Sequence, residues 1–156
     1  MYIKKAACGV GMVEVLVALV VIGIGMLGIA ALYVTALQAK TTSLSRLKAI
    51  TLANDMADRI RGNRLAATAY DTSVTTPANK QCADTTAVAV DCVASDMAAN
   101  DLFQWQSAIT SSLPGSPSSS VSVVANTSSS PAIYTITINW SEPTAPSQSY
   151  KLMIQI

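Results

Sequence analysis

Glu14 is the only charged residue between Lys5 and Lys40. It stands inside the run CGVGMVEVLVALVVIGIG, residues 8–25. Placing a charge in hydrocarbon costs at least about 2.5–3.5 kcal/mol on insertion scales, so this carboxylate demands a partner. Its chemistry is ion pairing rather than proton transfer. The chain has no His, which removes the usual proton shuttle and the commonest metal ligand. No Ser–His or Cys–His arrangement and no phosphate loop can be drawn. Asp84, Asp91, Asp96 and Asp101 are too scattered for a calcium loop, which needs oxygen ligands at close fixed intervals. The expectation is therefore no catalysis, no metal and no cofactor. The other chemically distinctive residues are cysteines. Cys82 and Cys92 are expected to form a structural bridge, closing a loop worth about 3 kcal/mol by chain-entropy arithmetic. Two free thiols or a redox pair are the alternatives, but there is neither a CxxC spacing nor a nearby base for redox work.

The elements that must position these groups follow from charge and periodicity. From Val15 to Ala39 there is no Asp, Glu, Lys or Arg, and roughly 20 such residues span a bilayer as a helix. Lys4 and Lys5 precede the run, so the positive-inside tendency puts the short leader in the cytoplasm and residues 40–156 outside. From Lys40 to about Ala67 the pattern turns amphipathic, with Leu44, Leu47, Leu52, Met56 and Ile60 recurring at steps of three to five residues. Asp55–Arg59 and Asp58–Arg61 have helix-supporting spacings. No Pro occurs before Pro77. One nearly continuous helix is predicted from about residue 11 to 66, roughly 80 Å at 1.5 Å per residue. Residues 68–96 read mainly as loop. A second helix is expected from about Ala98 to Ser112, capped by Asp96. It carries Leu102, Trp105 and Ile109 on one face, with Leu113 just beyond, and stops at LPGSPSSS.

The last third alternates with period two in SVSVV (120–124), AIYTITINW and SYKLMIQI, the signature of antiparallel strands with one buried face. Trp105, Trp140, Tyr134 and Tyr150 read as core. Asn126-Thr127-Ser128 is a formal glycosylation sequon but reads as a turn, and Arg59, Arg61 and Arg64 as a solvated or subunit-facing stretch. The expected fold class is α+β: a long N-terminal helix, half membrane-spanning and half amphipathic, on a small antiparallel sheet. Charged residues are 12% of the chain and the net charge is +1, against roughly 25% charged in typical globular domains. Nothing basic enough for nucleic acid stands out.

Gly9, then a short stretch, then Glu14 as the fifth residue after that Gly, then a long apolar helix, resembles the signal of type IV prepilins. The resemblance implies cleavage between Gly9 and Val10 by a prepilin peptidase, N-methylation of Val10 by the same enzyme, and a helix that becomes the spine of a filament. It implies that Glu14 pairs with the Val10 amine of a neighbouring subunit and sets register. Residues 1–9 would be the leader, 10–39 the transmembrane and filament-core helix, and 40–156 the periplasmic and then extracellular globular domain. Cys8 would leave with the leader. The chain departs from the usual pattern with Val10 where most pilins have Phe and Gly11 where Thr or Ser is usual. The run Leu52-Ala53-Asn54-Asp55-Met56-Ala57-Asp58-Arg59-Ile60-Arg61 further resembles the minor pilins called PilV, the type IV pilus modification proteins. That likeness covers residues 1–66 well and 82–115 loosely. It implies the bacterial inner membrane, then a pilus shared with other minor pilins and the major pilin, with tip placement, priming or adhesion as roles.

Gly23, Gly25 and Gly28 allow two readings. They could be small-residue packing between membrane helices, or a weak point that melts as the subunit leaves the membrane. Many pilins have a Pro near the position of Ala31, and here the glycines would substitute. Three competing readings of the whole chain stay open. A minor pseudopilin of a type II secretion system shares the leader and helix. A membrane-anchored binding or enzymatic domain would use the helix as a plain anchor and be indifferent to Glu14. A secretory signal would be cut near Gly28-Ile29-Ala30.

Overall fold

The computed structural model describes residues 11–82, 91–115, 121–128, 131–142 and 145–156. The leader, Gly9 and Val10 lie outside the described residues. The chain divides into two compact units, Met1–Thr41 and Thr42–Ile156. The described part of the first is helix alone, the start of α1 (Met12–Gly62), a helix of 51 residues.

In the second unit α1 supplies one wall of the core. Its buried stripe is Ala49, Ala53, Met56, Ala57 and Ile60, the i, i+4, i+7, i+8, i+11 series of one helix face. Three alanines with no exposure let neighbours approach the backbone closely. Leu44 and Leu47, expected on the same face, are instead exposed. They precede the stripe and lie off its line. The helix also ends earlier than the pattern suggests. Asn63 leaves the helical region with φ −121° and ψ 56°, and Arg64–Tyr70 continues as a 3-10 segment. Asn63 is drawn away by tertiary partners: its Nδ2 donates to the Ala94 carbonyl at 2.9 Å. Ala67 inside that segment has φ 44° and ψ −115°, a conformation that glycine adopts readily and alanine only under strain. Its carbonyl accepts from Tyr134 Oη at 3.2 Å.

The second helix, α2, runs from Ala94 to Ser112, four residues longer at its start than expected. Val93 is the N-cap and no side chain caps it; Asp96 sits inside the first turn, where a negative charge suits the helix dipole. The bridge Cys82–Cys92, with a Cα separation of 5.8 Å, ties the chain just before this start. α2 lies antiparallel to α1, as its contacts show. Ala94 meets Asn63, Asp101 meets Arg59, Trp105 Nε1 donates to the Leu52 carbonyl at 2.8 Å, and Ser112 meets Lys48. Leu102, Trp105 and Ile109 are buried as expected. The helix closes at Leu113, and Gly115 follows with φ +58°. An added Cβ there would collide with Ser141 Oγ, so only glycine fits this approach.

Three strands complete the core: β1 (Val121–Asn126), β2 (Ile133–Glu142) and β3 (Ala145–Gln155). They form one antiparallel sheet in the order β1-β2-β3. Tyr134, Ile136, Ile138 and Trp140 of β2 face the helices and are buried; the residues between them are half-buried. In β3, Ile154 is buried and Tyr150 and Leu152 pack partly on the same core. Asn126 Oδ1 accepts from the Ser128 backbone N–H at 3.2 Å, the turn anticipated for that triplet. The fold is therefore α+β, a long apolar-to-amphipathic helix packed against a small three-stranded sheet.

Candidate assembly surface

Glu14 lies in the first turn of α1 and is exposed; its backbone N–H donates to the Gly11 carbonyl at 3.0 Å. A first helical turn is where an acidic residue suits the helix dipole. Around and above it, every large apolar side chain from Met12 to Leu37 is exposed. Soluble monomers rarely expose more than a few hundred Å² of contiguous apolar surface. A helix of this length and composition can cross a membrane, and none of its apolar window is buried within the chain. What the surface can do is insert into hydrocarbon or pack against like helices, with one acid available for one cation.

Gly23, Gly25 and Gly28 lie within unbroken α1, and a Cβ at each would meet nothing within 4 Å. Among the described residues no contact requires them to be glycine. Their cost in helix propensity, about 1 kcal/mol each relative to alanine, is left without a return inside this chain.

The globular unit holds the other polar constellation, which the sequence reading missed. Arg59 Nη1 donates to Asp101 Oδ1 at 2.9 Å and to Gln104 Oε1 at 3.2 Å, while Arg59 Nε reaches Asp55 Oδ2 at 3.0 Å. Tyr70 Oη donates to Asp101 Oδ2 at 2.6 Å. Arg59 is thus not simply a solvated residue of a basic stretch: it joins α1 to α2. Burial opposes its charge, but the hydrogen bonds to Asp101 and Asp55 outweigh that and raise its pKa. Burial, followed by the Asp101 hydrogen bond, pushes the Tyr70 phenol far above its ordinary range. It stays protonated and donating. Among the described residues Arg61 pairs locally, with Asp58 at 2.8 Å. No short-range signal links residue 59 to 101, so the network was not legible in advance.

Asp71 is the second group missed. It is buried, and its Oδ1 accepts from the Ser73 N–H and Oγ at 2.8 and 2.6 Å. Its Oδ2 accepts from the Ala125 N–H at 2.9 Å, on the free edge of β1. Thr72 extends the cover: its N–H donates to the Val123 carbonyl at 2.9 Å. The run Asp-Thr-Ser does carry a local signal, that of a side chain bonding the backbone two residues on. These contacts blunt an open sheet edge. Among the described residues, no three His, Cys, Asp or Glu side chains gather as a metal site.

Comparison with known families matches two adjoining stretches. Residues 4–30 match the prokaryotic N-terminal methylation motif, and residues 31–103 match the family type IV pilin Tt1218. No curated protein and no solved structure matches the chain. The motif match contains Gly9, Val10, Glu14, Gly23, Gly25 and Gly28. The family match contains the amphipathic half of α1, the 3-10 segment and the first half of α2.

Proposed function

We propose, from the premise that this chain belongs to the type IV pilins, that it is a minor subunit of a type IV pilus and acts by assembly rather than catalysis. The observation that carries this reading is the lone acid of the methylation-motif stretch, set in a helix whose large apolar side chains from Met12 to Leu37 are all exposed. A peptidase of the inner membrane cuts after Gly9 and methylates Val10. The new amine keeps its positive charge after methylation. Before assembly the helix anchors the chain in the inner membrane with residues 40–156 on the periplasmic side. In the filament, packing against other apolar helices supplies the attraction. Glu14 meets the amine of a neighbour, because an acid in that low-dielectric setting is penalised unless paired. Pairing selects one register rather than adding much net stability. The likeness to the PilV group supports a place among minor pilins at or near the tip, where subunits prime growth and contact surfaces.

Replacing Glu14 tests this. Glu14→Ala and Glu14→Gln each leave membrane levels of the chain unchanged and reduce its recovery in sheared pili at least about tenfold, because the neighbour's buried amine is left without its counter-charge. Equal recovery of the variants in pili would contradict the role.

A further inference from the structure

The outer face of α2 carries a site that the assembly reading leaves unused. A trough of about 430 Å³ is lined by Phe103, Gln106, Ser107, Thr110 and Ser111, the i, i+3, i+4, i+7 and i+8 positions of one helix face. Leu102, Trp105 and Ile109 occupy the buried side. The trough spans roughly 12 Å along the helix, and its volume lies within the roughly 300–1,000 Å³ of small-ligand sites. Phe103 is the single Phe of the chain and is 38% exposed. The other described aromatic residues of this unit differ: Tyr70, Trp105, Tyr134 and Trp140 are buried and Tyr150 is half-buried. The hydroxyl protons along the trough are already spent on the helix backbone. Ser107 Oγ donates to the Phe103 carbonyl at 2.9 Å, Thr110 Oγ1 to the Gln106 carbonyl at 2.9 Å and Ser111 Oγ to the Ala108 carbonyl at 3.0 Å. A hydroxyl has one proton and two lone pairs, so these exposed oxygens offer acceptors to anything that arrives. Among the described residues no partner engages the half-buried Gln106 side-chain amide, which adds N–H donors and a further acceptor. From Leu102 to Ser112, α2 has no charge at all.

We propose that this face binds a neutral carbohydrate, with a pyranose ring laid on Phe103 and its hydroxyls donating to Ser107, Thr110 and Ser111. The face of an aromatic ring is negative, and one side of a pyranose is a sheet of C–H bonds that carry slight positive charge. Sugar hydroxyls donate as well as accept, so they suit a row of acceptor oxygens beside a free amide. The lack of charge decides against other ligands. Nucleic acid and acidic lipid headgroups need Lys or Arg, and none occurs from Leu102 to Ser112. A partner helix needs an apolar row at this spacing, whereas Phe103 is followed on its face by Gln106, Ser107 and Thr110. The site is built from α2 alone, within the second unit, so it goes beyond the assembly reading and stands without it. An open trough covers less of its ligand than a cleft does, so affinity at a single site is low.

The test is saturation-transfer NMR on the full chain held in a phosphocholine detergent, since sugar-headed detergents would compete. The probes are cellobiose, lactose and N,N′-diacetylchitobiose, each titrated through the millimolar range. The expected result is saturable transfer to at least one of them, strongest at the C–H bonds of one ring face. Phe103→Ala weakens that binding roughly tenfold, and Phe103→Trp retains it. Thr110→Val keeps the side-chain shape, removes the acceptor and weakens binding roughly fivefold. The Cys82–Cys92 bridge and the thermal midpoint are read for every variant, and Thr110→Val with Phe103→Trp decides the matter if Phe103→Ala does not fold. Absence of transfer to all the probes overturns the proposal, as does transfer indifferent to these substitutions. Tighter binding of sialyllactose than of lactose overturns the neutral assignment. A photo-crosslinking amino acid at Ser107 that captures another protein in the host membrane gives the face to protein packing and overturns it as well.

Discussion

Asp71 shows how this chain keeps a buried carboxylate without a cation. Burial opposes its charge, but the Ser73 hydroxyl, the Ala125 N–H and the Ser73 N–H together outweigh it and lower its pKa. A carboxyl whose folded pKa lies below its unfolded value stabilises the fold fully above the unfolded value, about 3.9. The contribution is lost as pH falls through the folded value. Asp71→Ala leaves the Ala125 N–H of the β1 edge without its acceptor and is expected to cost about 1–3 kcal/mol in chemical denaturation at neutral pH. The difference is expected to shrink as pH falls below the unfolded value, because protonation of the wild-type carboxyl removes the charge its hydrogen bonds stabilise. A gap that stays constant across that range would mean the charge of Asp71 contributes nothing. Glu14 is the contrasting case, an acid with no side-chain partner among the described residues, for which we propose a role in assembly.

At the scale of elements, the sequence displayed what depends on local periodicity. The apolar run, the Leu102–Trp105–Ile109 face and the alternating strands around Ile136 and Ile154 were all legible from spacing. So was the turn at Leu113-Pro114-Gly115. What was not legible depends on tertiary partners. α1 yields to a 3-10 segment because Asn63 is held by Ala94, and α2 starts early beside the Cys82–Cys92 bridge. The buried face of α1 is built on alanines rather than on Leu44 and Leu47, because close packing favours the smaller side chains there. Two predictions belong here. Removing the bridge by Cys82→Ala with Cys92→Ala is expected to cost about 3 kcal/mol of stability, read by thermal or denaturant unfolding of the processed chain. An unchanged midpoint would mean that the bridge does not constrain the unfolded chain. Replacing Gly23, Gly25 and Gly28 together by Ala adds roughly 1 kcal/mol of helix propensity per site with no clash inside the chain. If their use is local melting on entry to a filament, the triple variant is retained in membranes and depleted from sheared pili. Normal incorporation would remove that reading and leave ordinary helix packing.

At the scale of the whole molecule, two units divide the work. The first is an apolar helix with one acid, suited to hydrocarbon and to other helices. The second is a covered sheet and two helices held by the Arg59–Asp101–Tyr70 network, which presents a specific outer surface. A plain membrane anchor would account for the apolar helix but not for Glu14, and a secreted domain for neither. The account turns on whether Glu14 has an amine to meet, and that depends on the N-terminus of the mature chain. The measurement that tests it most directly is the mass of the N-terminal peptide of the protein recovered from host membranes and from sheared pili. The account predicts a start at Val10 carrying one methyl group in both samples. A start at Met1, or one near Ala31, would contradict it, since Glu14 would then have no amine at the helix start to pair with.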